Sequence, residues 1–126
     1  MKLVLDSGAL VALERNERAM WRRLKAALVA QAAPVSHGGV VGQVWRGHGP
    51  REALLSRALA SVDVRPLDDE LGRAAGVLLG RARKSDVIDA AVVLLAEDGD
   101  HLVTSDVDDL RALAEASGRH LALIET

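Results

Sequence analysis

Residues 86–110, DVIDAAVVLLAEDGDHLVTSDVDDL, decide how this chain folds. A stretch of helix length and mostly apolar character, Asp86–Glu97, leads into a short apolar run, His101–Thr104. That run stops at Ser105-Asp106, and a second helical stretch follows over Asp108–Ala116. A short buried strand between two helices is the signature of an α/β protein with a parallel sheet. Ser85 is placed to cap the first helix. Asp106 is placed to cap the second, with Asp109 at the capping-box position. The strand therefore ends on an acid.

The chain opens in the same way. Lys2–Leu5 (KLVL) reads as a strand that stops at Asp6-Ser7-Gly8, where both Asp6 and Ser7 are able to cap a helix. Helix begins at Ala9 and continues over Glu17–Gln31, with Met20, Leu24, Ala27, Leu28 and Gln31 at core-facing spacing. Pro34–Ser36 is a second strand, His37-Gly38-Gly39 a break, and Val40–Trp45 a helix. Gly47-His48-Gly49-Pro50 is a turn, with Pro50 opening a helix that runs to Ala60. Val62–Pro66 is a third strand. Asp68–Arg83 is a helix with acids in its first turn and Arg81, Arg83 and Lys84 at its end, as the helix dipole favours. Gly118 stops the last helix and His120–Ile124 is a fifth strand. The expectation is a single α/β domain over 1–126, with a mostly parallel five-stranded sheet and about six helices. Such sheets bind ligands beyond the carboxyl ends of their strands, where strand order reverses.

Composition removes several classes. Cysteine is absent, so there is no disulfide framework and no thiolate zinc site. Hydrophobic residues make up 49%, too many for a disordered chain. No apolar run approaches the roughly 18 residues of a membrane span. Asp6 interrupts the N-terminal apolar run before a signal-peptide core forms, so a cytoplasmic domain with no membrane partner is expected. The formal charge of −2 is divided unevenly. Residues 1–62 carry nine Lys/Arg and four Asp/Glu; residues 63–126 carry seven and fourteen. Of eleven aspartates only Asp6 lies in the basic half.

Asp6 and Asp106 each follow a strand. If those strands are neighbours, the two carboxylates face one crevice. Asp86 and Asp89 share one helical face, on the helix that feeds the strand ending at Asp106. Singly, each acid reads as an ordinary cap or dipole partner; Asp89 fits that reading least, beside Ala90, Ala91, Val92 and Val93. Asp98, Asp100 and Asp108 read as solvated turn or helix-start residues. Two carboxylates about 5 Å apart repel by about 3 kcal/mol at an effective dielectric of about 20. A converging set therefore raises its pKa values or recruits a cation. All-oxygen ligands select Mg2+ or Mn2+ rather than zinc, and such a cation suits phosphoryl chemistry.

The sequence also resembles a known family. LVLDSGALVAL at 3–13 is similar to the opening of PIN domains, the nuclease fold of VapC-type toxins. DVIDAAVVLLA at 86–96, followed by HLVTSDVDDL at 101–110, resembles that family's second half, with its Thr-x-Asp after a strand. The resemblance implies a three-layer α/β/α sandwich and a metal-dependent endoribonuclease, the toxin of a type II toxin–antitoxin pair. Its metal ligands and catalytic acids fall on Asp6, Asp89 and Asp106, with Asp86 an additional acid one turn before Asp89. Ser7 and Thr104 match hydroxyl positions that flank the metal. The resemblance further implies Mg2+ (or Mn2+), an RNA substrate such as tRNA or rRNA, a homodimer, and a small antitoxin whose C-terminal segment fills the acidic groove.

One departure stands out. Gln43 occupies the position where the family places a Glu, early in the helix after strand two. A Gln carbonyl can still ligate a cation but adds no charge. This motivates a second reading, a weakly active or inactive PIN-like module that binds RNA or protein. Arg46 reads either as a phosphate contact beside the metal or as a solvated helix-end residue. Arg15, Arg18, Arg22, Arg23 and Lys25 form a basic cluster, either a phosphate-tracking rim or an exposed face. Trp21 and Trp45 read as core or interface anchors rather than base-stacking platforms. His37, His48, His101 and His120 lack metal-ligand spacing, and none is placed as a general base. A receiver domain needs paired acids after strand one, and a dehalogenase-type phosphatase needs DxDx[TV]; Asp6-Ser7-Gly8 meets neither.

Overall fold

Strands of three and four residues are too short to stand alone and are ordered only as parts of one sheet packed against helices. In the computed structural model, which describes residues 1–126, they form one five-stranded sheet. The elements run β1 (Leu3–Leu5), α1 (Ser7–Glu14), α2 (Arg18–Val29), β2 (Val35–His37), α3 (Gly38–Val44), α4 (Glu52–Leu59), β3 (Asp63–Arg65), α5 (Asp69–Ala82), α6 (Val87–Leu95), β4 (His101–Thr104), α7 (Val107–Ser117) and β5 (Ala122–Glu125). Sheet order is β3-β2-β1-β4-β5, and every pairing is parallel. The order reverses at β1, which pairs with β2 on one side and β4 on the other.

Helices α1 to α4 pack on one another, as do α5 to α7. Right-handed crossovers place the two groups on opposite faces of the sheet. The result is the three-layer α/β/α sandwich expected. All buried apolar side chains join one cluster, so there is a single core. Helix α6 lies deepest. Ala90, Ala91, Val92, Val93 and Leu95 are all buried, and the two alanines admit its neighbours closely.

Several expectations shift. Asn16 adopts a left-handed conformation (φ 59°) and divides the first helical stretch, so there are seven helices rather than about six; Asn tolerates that region better than most residues. Strand two runs to His37, which is extended and does not break the chain. The cap of α6 is Asp86, not Ser85. Strand five is Ala122–Glu125, about two residues later than its pattern indicates. Asp100 is not a solvated turn residue. It is 5% exposed and accepts hydrogen bonds from the backbone N–H groups of Lys2 (2.8 Å) and Glu97 (2.8 Å). Lys2 Nζ adds an ion pair at 3.6 Å. Burial alone would raise the Asp100 carboxyl, but these donors outweigh it and hold the carboxyl below its ordinary value.

Candidate metal centre

Adjacency of β1 and β4 brings Asp6 and Asp106 to one edge. Asp6 continues the ladder, its N–H donating to Val103 O (3.0 Å). It then opens α1 from an extended conformation, without spending its side chain on a cap. That side chain is 3% exposed. Its Oδ2 accepts from the Thr104 hydroxyl (2.8 Å), and the Thr104 Oγ1 in turn accepts from the Asp106 N–H (3.0 Å). The hydroxyl thereby fixes the end of β4 against the Asp6 carboxylate. Asp6 Oδ1 is buried and has no hydrogen-bond partner at all. A buried carboxylate oxygen left unpaired is costly, so this atom marks a place built for a donor or a cation.

Two further contacts tighten the edge. Ser36 Oγ donates to Leu5 O (2.8 Å), holding β1 where Asp6 emerges. A Cβ on Gly8 would lie 2.7 Å from the Ser105 backbone nitrogen, so the first turn of α1 packs on the β4–α7 link only as glycine. Ser7 begins that turn and is half-buried.

The other acids come from α6 and α7. Asp86 is exposed, and its Oδ1 accepts from the N–H groups of Ile88 (3.0 Å) and Asp89 (3.1 Å). It is the cap that starts α6. Asp89, one turn in, is half-buried, and its carboxyl is pushed up to about 7. Burial is the largest cause, followed by the carboxylates of Asp6, Asp86, Asp106 and Asp109. Asp106 is exposed at the head of α7 and makes no cap with its side chain. Its carboxyl is also raised, by desolvation first and then by neighbouring Asp109 and Asp6. No Lys or Arg pairs with Asp6, Asp86, Asp89 or Asp106.

Asp109 alone of the neighbouring acids has a cation, Lys84 at 3.5 Å, so the edge keeps an excess of negative charge and one orphaned buried oxygen. Hard oxygen donors of this kind suit a divalent cation. Closure is incomplete: no three His, Cys, Asp or Glu side chains stand close enough together to hold an ion as they are arranged. Gln43 is exposed on α3 and takes no part in the hydrogen bonds that join Asp6, Thr104 and Asp106. The Arg46 guanidinium donates to the carbonyls of Gly42 (3.3 Å), Gln43 (3.0 Å) and Trp45 (2.8 Å), which makes it a cap on the end of α3. Beside the edge, Ser7, Gly8, Ser105 and Arg15 line a cleft of about 270 Å3.

Two residues at the edge escaped the sequence reading. Ser36 and His37 both end β2 at the same carboxyl side. The signal that finds them is the one that found Asp6 and Asp106: a polar residue where an apolar strand stops.

No family model matches this chain, and no curated protein matches it by sequence. Among solved structures, a chain in the crystal structure of VapBC2 from Rickettsia felis bound to a DNA fragment from their promoter has the same fold. The two are 12% identical, the match covers 98% of each, and the TM-score is 0.71. At that identity the likeness is one of architecture, and the architecture is the PIN-like sandwich that the sequence resembles.

Proposed function

We propose that this protein is a Mg2+- or Mn2+-dependent endoribonuclease, the toxin of a type II toxin–antitoxin pair. One observation carries the reading. Asp6 is buried beside β4, bonded through only one of its two carboxylate oxygens, near Asp89 and Asp106, and none of the three is ion-paired with a Lys or Arg. The residues that would hold the metal are Asp6, Asp89 and Asp106. Asp86, already committed to its cap, would act from one turn away. When bound, the cation polarises a phosphate oxygen and activates a water molecule.

The chain's own groups prepare that chemistry. Thr104 holds Asp6 by one oxygen and leaves the other free. Asp89, its carboxyl raised to about 7 by burial and the surrounding carboxylates, would be held fully ionised as a ligand by a cation that offset them. Arg15, in the cleft beside Ser7 and Ser105, is placed to hold a backbone phosphate, and Arg18, Arg22 and Lys25 continue the positive charge along α2. The shared fold with a VapBC2 chain supports a cognate antitoxin as partner, one of whose arginines would pair with the vacant acids. A homodimer acting in the cytoplasm completes the reading. No helix is long and apolar enough to cross a membrane.

Cleavage of structured RNA with Mn2+, with Mg2+ and with EDTA tests this. Wild type should cut only with metal, and Asp6→Asn or Asp106→Asn should lower the rate by about a hundredfold or more. Activity surviving both substitutions would sink the assignment. A second reading, a PIN-like module that binds RNA or protein without cutting, is favoured by the exposed Gln43 and the unclosed acids. Metal-independent RNA binding with no cleavage by wild type would select it.

A further inference from the structure

A buried ring joins the first turn of α6, which presents Asp89, to the end of β2. His37 ends β2 and is 0% exposed. Its Nδ1 accepts from the Gly39 N–H (3.0 Å), capping α3. Its Nε2 lies 3.0 Å from Ile88 O. A backbone N–H can only donate and a carbonyl can only accept. The two contacts together therefore require Nδ1 bare and Nε2 protonated, a neutral ring in one tautomer. Burial pushes the imidazole below its ordinary value, further than the Ile88 carbonyl and Asp6 raise it, which agrees with a neutral ring.

The fit around the ring is close. A Cβ on Gly39 would lie 2.9 Å from the His37 Cε1 and 3.3 Å from the Ile88 Cγ1. Glycine at 39 is what admits the ring between α3 and α6. The ring thus bridges three elements: the end of β2, the start of α3 and the start of α6. Ile88 is the residue before Asp89, so fixing its carbonyl fixes the turn from which the Asp89 carboxyl projects.

We propose that His37 is a positioning residue, whose Nε2–H to Ile88 O bond sets Asp89 against Asp6 across the edge. The proposal rests on the metal-centre reading above. Groups that hydrogen-bond directly to a metal ligand are worth about 10- to 100-fold in metal affinity, and a bond to the backbone beside the ligand is expected at the low end of that range.

Two conservative variants separate positioning from mere support. His37→Gln keeps an N–H at the reach of Nε2 and loses the acceptor for Gly39. His37→Asn keeps an acceptor at the reach of Nδ1 and falls short of Ile88. Mn2+ affinity, read from free Mn2+ by electron paramagnetic resonance, should weaken about tenfold or more in His37→Asn and stay within about threefold in His37→Gln. Equal affinities in the two folded variants overturn the proposal. If wild type binds no Mn2+, or Asp6→Asn binds it as well as wild type, the metal-centre reading falls and takes this one with it. Long-range 15N–1H NMR of wild type needs no variant to fold. It should show a neutral ring protonated at Nε2, and a proton on Nδ1 overturns the proposal on its own.

Discussion

Asp89 carries the clearest prediction at the scale of a single residue. Its carboxyl stands at about 7 in the folded chain, through burial first and the surrounding acids second, and near the usual value of about 4 when unfolded. Between those values the folded chain keeps a proton that the unfolded chain has lost. Stability on this account is complete below about pH 4 and is lost as the pH rises through about 7. Thermal melts in EDTA should show the wild-type midpoint falling from pH 5 to pH 8 by several degrees relative to Asp89→Asn. Mn2+ should restore it at pH 8 in wild type and leave Asp89→Asn unmoved. Parallel pH profiles for the two proteins would remove Asp89 from the acidic set. Asp6 and Asp106 were legible because each interrupts an apolar run at the strand's carboxyl end. His37 was not, because the Gly38-Gly39 pair after it reads as a chain break and masks a side chain that packs inward. Asp100 was missed for a different reason. Its main partner, Lys2, lies 98 residues away, and no local pattern encodes that pairing.

At the scale of elements, the head of α6 lets a helix cap be separated from a proposed metal ligand. Asp86 caps the helix through two N–H groups and lies one turn from Asp89. Asp86→Ser keeps a capping oxygen without the charge; Asp86→Ala keeps neither. Asp86→Ala should cost about 1 kcal/mol in chemical denaturation, with Asp86→Ser within about 0.5 kcal/mol of wild type. If both variants bind Mn2+ as wild type does, Asp86 is a cap alone. The type and order of the elements were readable because hydrophobic period and turn residues agree along the chain. Their ends were less so. Where α6 begins depends on which of Ser85 and Asp86 turns its side chain toward the helix, and both residue types cap well. The division of α1 from α2 depends on a single positive φ at Asn16.

At the scale of the molecule, one group of acids and one group of bases occupy different surfaces. Asp6 and Asp106 stand where β1 and β4 end, with Asp89 near them. Arg18, Arg22 and Lys25 lie on the face of α2 opposite buried Met20 and Leu24, exposed and without acidic partners. If RNA runs from the acidic edge past Arg15 and along that face, replacing Arg18, Arg22 and Lys25 by Gln should lower the slope of log affinity against log salt. Loss of three phosphate contacts to a single strand lowers it by about 2. An unchanged slope would place the strand elsewhere. The position of the cleft could not be read from the sequence, which shows the basic cluster but not what stands next to it.

The central place of β1 also bears on how the protein is made. β1 cannot complete its pairing until β4 has left the ribosome, about a hundred residues later. Contacts that span most of a chain close slowly and late in folding. Asp6 meets Thr104 and Asp106 only after that interval. A nascent chain that has made β1, β2 and β3 already has half a sheet but only one of the strand-end acids. The acidic edge is therefore absent from any product that ends before β4, and arises only once β4 has been made and has closed against β1.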